Sequence, residues 1–158
     1  MVCSITKCLA IDCEFVGVGQ DGKDDMLARV SIVNLYGDCV YDKYVAPVEE
    51  VIDYRTAISG VRQENLVNAE KLKVVQKEVG DLIQGHILVG HNIKKDLQML
   101  FLSHPKKDLR DTSKYRPFRV AARTKWPSLK KLAGLILGVV IQTGEHDSVR
   151  LQFFLLFR

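Results

Sequence analysis

Hydrophobic positions along the chain follow a strand-like period first and a helical one later. Residues 8–16, "CLAIDCEFV", form an apolar run rich in β-formers, and 27–35, "LARVSIVNL", alternates apolar and polar positions. A third run, 39–45, follows the short turn "YGD". That turn and the Gly-rich link "GVGQDGKDD" predict two hairpins. Pro47 ends the third run, and 48–68 is predicted as loop, with Ser59-Gly60 as a turn signal. From 69 to 84 the period becomes helical: Leu72, Val75, Val79, Leu82 and Ile83 fall on one face, and Gly85 marks the stop. Residues 87–90 read as a short buried strand. Asn92 is placed to cap a following helix with Leu97, Leu100 and Phe101 as apolar positions. Residues 109–112 predict another short strand, and 114–126 a basic loop. Ser128 is predicted to cap a helix that runs to Leu137, with Leu129, Leu132, Leu135 and Ile136 inward and Gly138 closing it. The order βββ-α-β-α-β-α implies an α/β fold, a mixed sheet with helices packed on it, in a single domain over residues 1–158.

Composition narrows the class. The apolar fraction is 47% and the charged fraction 27%, ordinary for a globular domain. No segment approaches the roughly 18–20 apolar residues of a membrane-spanning helix. The N-terminus has no charged region leading into a long apolar core, so it reads as mature sequence of an intracellular protein, with no membrane partner expected. Cys3, Cys8, Cys13 and Cys39 form no CxxC pair and read as small buried hydrophobes and free thiols rather than a zinc site or a disulfide framework. Charge is unevenly spread. Between Lys94 and Lys131 twelve basic residues face three aspartates, whereas the rest of the chain holds eleven basic and sixteen acidic residues. A basic region on an otherwise acidic chain points to a polyanionic partner, or to a solvated surface.

Candidate chemistry begins in the first strand. Asp12 and Glu14 are two residues apart, and in a strand that spacing puts both on one face. Either a divalent metal neutralises them, since hard cations prefer carboxylate oxygens, or one meets solvent and the other a distant arginine. Asp96, in the helix after a short buried strand, is a third acid at a position where α/β proteins commonly carry functional residues. His91 opens the same segment, either as a local cap or as a substrate contact. His146 near the end of the chain can take a proton from water at neutral pH, or be an ordinary surface histidine.

The motifs "LAIDCEFVGVG", "ARVSIVN", "YDKYVAP", "DYRTAISGV", "ILVGHNIKKDL", "RDTSKY" and "PSLKKLA" together resemble the DEDDh 3′→5′ exonucleases, most closely the RNA exonuclease 4 group. The resemblance covers nearly the whole chain up to Ser148. It implies a ribonuclease H-like fold with a five-stranded mixed sheet and two-metal phosphodiester hydrolysis, with Mg²⁺ or Mn²⁺ as cofactors. Asp12 and Glu14 match the first motif, Asp96 the acid of the second and His146 the general base of the third. The three acids would be metal ligands. Arg55 in "DYRTAISG" would contact the sugar or phosphate of the terminal nucleotide, or else pair with an acid such as Asp53. Phe15 stands where relatives usually have methionine, and would stack on the terminal nucleotide or belong to the core. Lys94, Lys95, Lys106, Lys107, Lys130 and Lys131 are candidates for backbone contacts. The implied partner is RNA or another single-stranded nucleic acid, acted on by a monomer. Ribosomal RNA processing in the nucleus, in the nucleolus above all, is implied as well.

One departure stands out. The family places an aspartate ligand five residues after its histidine, and here that position is Leu151, in an apolar ending, "LQFFLLFR". The C-terminal end is thus expected to be truncated or altered relative to the family. Asp147, roughly one turn before Leu151, is a weak substitute. Reduced activity is the expectation, with an inactive nucleic-acid-binding module as the alternative.

Overall fold

In the computed structural model, residues 4–141 are described. Five strands, β1 (Cys8–Val18), β2 (Asp24–Asn34), β3 (Cys39–Tyr44), β4 (Ile87–Gly90) and β5 (Leu109–Asp111), form one sheet in the order β3-β2-β1-β4-β5. β1 pairs antiparallel with β2, and β2 with β3, as the two short links predict; β1–β4 and β4–β5 are parallel. The sheet is therefore mixed, and β1 lies at its centre.

Alternation along β1 sorts its side chains between two layers. Leu9, Ile11 and Cys13 enter a core shared with Val75, Val79 and Ile83 of α3 (Leu72–Ile83) and with Ile93 and Leu97 of α4 (Ile93–Met99). Ala10 faces the other way, with Val33, Val89 and the partly buried Leu129. The predicted apolar face of α3 is the one buried, with Leu72 and Leu82 packed at its margin. Ser128 caps α6 (Leu129–Leu132) by accepting a hydrogen bond from the Lys131 N–H at 3.2 Å, and Gly138 ends the segment in a left-handed conformation.

Several local expectations are corrected. The 48–68 stretch contains two single-turn helices, α1 (Thr56–Ser59) and α2 (Gln63–Leu66). The basic 114–126 stretch contains helix α5 (Arg116–Ala122); its signal was Pro117 in the first turn, where a missing N–H costs nothing. Past α6 the chain winds as a π-helix over Ala133–Leu137, and this wider winding breaks the 3.6-residue period, so Leu135 is exposed rather than inward. Phe101 lies beyond the end of α4 and is exposed, and Cys39 is an exposed thiol. Asn92 occupies the N-cap position of α4 with a left-handed backbone (φ 67°), but its side chain makes no capping bond. Among the described residues no helix is long and apolar enough to cross a membrane.

Gly90 ends β4 where there is no room for a side chain. A Cβ there would stand 2.6 Å from Ile93 Cγ1 and 3.1 Å from the Ile11 carbonyl oxygen. Ile93 is fully buried and β-branched, so it cannot swing aside. Gly90→Ala is expected to lose about 1–3 kcal/mol as overpacking, read as a lower urea midpoint at unchanged slope.

Candidate active site

The opposite orientation of Asp12 and Glu14 from the Leu9–Ile11–Cys13 face puts both acids on the Ala10 side of β1. Glu14 is buried and Asp12 half-buried. Across the ladder Asp12 stands opposite Ser31 and Glu14 opposite Arg29. Immediately after Glu14 the register shifts: Phe15 pairs with Leu27, which leaves Ala28 as the extra residue. Such a bulge bends the strand and re-aims the side chains beside it. Arg29 also forks onto Asp42 through Nε (2.8 Å) and Nη2 (2.7 Å) and lies over the Tyr44 ring.

Asp96 arrives from α4. It is 4% exposed, and its Oδ2 is buried with no hydrogen-bond partner among the described residues. Burial pushes its carboxyl well above the usual carboxylate range, and the charges of Asp12, Asp111 and Glu14 push it further, against the pull of Lys95. Cys13, between these acids, reports the same field: burial first, then Asp96, Asp12 and Glu14, raise its thiol. The three predicted acids are thus brought within each other's electrostatic reach. An orphaned buried carboxylate oxygen beside two further carboxylates is a donor set that fits a hard divalent cation. Among the described residues no three His, Cys, Asp or Glu side chains converge tightly enough to hold a metal ion. Charges couple over several ångströms more than coordination spans. His146, Asp147 and Leu151 lie outside the described residues.

The turn that launches α4 is clamped from β5. Asp111 Oδ1 accepts hydrogen bonds from the Asn92 N–H (3.0 Å), the Ser113 N–H (3.0 Å) and the Ser113 hydroxyl (2.7 Å). Its Oδ2 is buried with Lys114 Nζ 3.2 Å away. Burial raises the Asp111 carboxyl, but the bonds from Ser113, Asn92 and Lys114 outweigh it and leave it below its ordinary value. Thr112 donates to the Gly90 carbonyl through both its N–H (3.0 Å) and its hydroxyl (3.1 Å). Asp111 was not singled out from the sequence; the Asp-Thr-Ser turn chemistry was its only signal. His91 does not open the helix. Its ring lies between the Thr112 hydroxyl (Nδ1 to Oγ1 2.9 Å) and the Pro127 carbonyl, and burial lowers its pKa despite the pull of Asp111. These contacts give it an internal place beside the turn that launches α4.

A second cluster surrounds Asp25. Lys95 and the Arg55 guanidinium both pair with it, and Arg55 Nη2 also donates to the carbonyls of Gly22 (3.0 Å) and Lys23 (3.3 Å). Asp53 engages Arg55 only through the backbone N–H (2.8 Å). The Arg55 guanidinium is thus engaged with Asp25 of β2 and with the β1–β2 link, and the acid it pairs with is Asp25 rather than Asp53. Phe15 is partly buried against the core, and Lys95 Nζ lies 4.5 Å from its ring centroid. Lys95 is thus held beside the acids, while Lys94, Lys106, Lys107, Lys130 and Lys131 are exposed. A groove of about 1230 Å³, bordered by Ile93, Leu97, Leu109, Phe118 and Leu132, contains none of the three acids.

The chain matches the exonuclease (RNase T) family over residues 9–150. It is 58% identical over 146 residues to RNA exonuclease 4 of Xenopus laevis, 57% to that of Homo sapiens and 53% to that of Saccharomyces cerevisiae, each match covering 92% of this chain. The chain spans only 35% of the frog and human proteins and 50% of the yeast one. Among solved structures it is similar to the pseudoubiquitin hydrolase–RNA exonuclease module of S. cerevisiae Pan2 in complex with AACCAA RNA (TM-score 0.80, 28% identity, 95% of this chain, 28% of that one). It is also similar to the Neurospora crassa Pan2 catalytic unit (TM-score 0.81, 27% identity, 95% and 26%). The expected five-stranded mixed sheet of a ribonuclease H-like exonuclease is what these neighbours share with it.

Asp25 makes a pH prediction. Burial raises its carboxyl, but hydrogen bonds and charge from Lys95 and Arg55 win and leave its pKa below the ordinary 3.8. A lowered folded-state pKa contributes stability that is present above 3.8 and lost as pH falls through the folded value. Asp25→Asn is expected to cost about 0.5–1 kcal/mol at neutral pH, given its partial exposure. The difference from the unmodified chain should be constant well above pH 3.8 and shrink as pH falls below 3.8 towards the lower folded value, measured by urea unfolding at pH 7, 5 and 3.

Proposed function

This chain belongs to the exonuclease family, and we propose that it hydrolyses RNA from the 3′ end to nucleoside 5′-monophosphates, with single-stranded DNA as a further substrate. The observation that carries the reading is the buried Oδ2 of Asp96, without a hydrogen-bond partner among the described residues and within the field of Asp12 and Glu14. A carboxylate oxygen kept from water and from donors is costly unless a cation shares its position. Asp12, Glu14 and Asp96 would hold Mg²⁺ or Mn²⁺, two ions as the resemblance implies. Bound there, divalent ions supply Lewis-acid chemistry to the attacking and leaving oxygens of an in-line displacement.

The remaining roles fall to side chains. His146 accepts the proton of the attacking water. Phe15, backed by Lys95, presents an aromatic ring next to Glu14 for the terminal nucleotide. Asp111, Thr112 and His91 fix the turn from which Asp96 is aimed. Leu151 stands where the resemblance implies a fourth acid, so Asp12, Glu14 and Asp96 would hold the ions with one carboxylate fewer, and turnover would be reduced. A nuclear, nucleolar setting follows from the same resemblance.

A 3′-labelled single-stranded RNA incubated with Mg²⁺ should release labelled 5′-monophosphate slowly, and Leu151→Asp should raise the rate. Asp96→Asn is expected to lower it at least about 100-fold, more than the loss of an outer-shell partner, without loss of thermal stability. Absence of release from both the unmodified chain and Leu151→Asp, with RNA still bound, would replace the enzyme by a nucleic-acid-binding module.

A further inference from the structure

Between Ser113 and Gly144 the sequence contains seven basic residues and no acidic one. The structure places two of these cations, Arg119 and Lys125, over an exposed aromatic ring. Helix α5 carries Arg116 and Arg119, Arg123 caps it, and the following turn presents Lys125 and Trp126. Arg116, Arg123, Lys125, Lys130 and Lys131 are exposed and form no ion pair among the described residues. Trp126 is 68% exposed, with Arg119 Cζ 5.5 Å and Lys125 Nζ 5.4 Å from its ring centroid. Tyr115, also exposed, is held edge-on to Phe118 at 5.0 Å.

The backbone that carries the indole is anchored in place. Arg119 Nε donates to the Ser113 carbonyl (2.8 Å), the Thr124 N–H returns to the Arg119 carbonyl (3.2 Å), and the Trp126 N–H reaches Thr124 Oγ1 (3.3 Å). The next residue, Pro127, is buried, and its carbonyl meets the His91 ring. His91 is bonded in turn to Thr112, beside the clamp that sets the start of α4 and Asp96. The exposed ring is thus tied through two residues to the turn that aims the third acid.

An exposed aromatic ring set among unpaired cations is what a single-stranded nucleic acid requires: charges for the phosphates and a π-face for a base. We infer that the surface of α5 and the Lys125–Trp126 turn is a second nucleic-acid contact, where Trp126 stacks on a base of a single strand whose 3′ end enters the carboxylate site. The choice of ligand rests on the reading under Proposed function; the surface itself rests on the exposure, the charges and the Pro127–His91 link. This contact is separate from the Phe15 position and would make binding depend on strand length.

Trp126 is the only tryptophan of the chain, so its emission reports the contact directly. Titration of the full chain with a 12-nucleotide oligouridylate, in chelator to prevent turnover, is expected to quench that emission saturably. The apparent affinity should fall steeply between about 50 and 200 mM salt. Arg116→Ala combined with Lys125→Ala should weaken it about tenfold or more. Trp126→Ala, followed by anisotropy of labelled RNA, should weaken binding about 5- to 100-fold, the range of one base–aromatic stack. Unchanged emission while labelled RNA is bound would overturn the inference, as would full affinity in Trp126→Ala. Equal quenching by inorganic polyphosphate would reduce the surface to an anion patch and overturn the stacking. Because the readout needs no catalysis, a chain that hydrolyses nothing still answers the question, and the two proposals fail separately.

Discussion

Three carboxylates within one another's field, two of them largely withdrawn from water, set the main constraint on this molecule. Like charges in a low-dielectric environment repel, and burial penalises each ionised form. Burial and the neighbouring acids push the Asp96 carboxyl upward, and its Oδ2 has no partner among the described residues. Folded chains avoid such an arrangement unless function uses it. Much of the surrounding architecture can be understood as the means of holding these acids where repulsion would scatter them.

Two of the acids are held by the most rigid element available. β1 is hydrogen-bonded on both sides, antiparallel to β2 and parallel to β4, and its alternate residues Leu9, Ile11 and Cys13 are locked in the main core. The bulge opposite Glu14 adjusts aim at the point where the strand leaves the acids. Asp96 is set differently, by a helix whose first turn is fixed from β5 through Asp111 and Thr112, with Gly90 giving the chain room to turn. Lys95, next to Asp96, ties the same helix to Asp25 and Phe15, and Asp25 ties Arg55 to the β1–β2 link. Position comes from these linked bonds and not from any one of them.

Charge is partitioned to match. Acids concentrate at the site and in the rest of the chain, while the 113–144 stretch has none and displays its cations. A polyanion drawn to that face would meet the exposed Trp126 beside Pro127, whose carbonyl meets the His91 ring.

Periodicity and short-range chemistry were legible in the sequence. The two hairpins, the apolar face of α3, the Ser128 cap and the same-face spacing of Asp12 and Glu14 all depend on neighbours a few residues apart, and all appear as read. Helix α5 was missed because basic composition hid a Pro-initiated helix, and Leu135 because a π-turn breaks the period on which inward positions are counted. Other features required the tertiary structure, because they join residues from distant parts of the chain. Asp25 rather than Asp53 as the acid facing Arg55, Asp111 as the support of Asn92, and His91 lodged between Thr112 and Pro127 are of this kind. Local sequence thus determined which residue types bear the chemistry and on which face of a strand they stand. The fold alone decided which charges meet, because coupling depends on distance in space, and a chain order of acids and bases does not contain that distance.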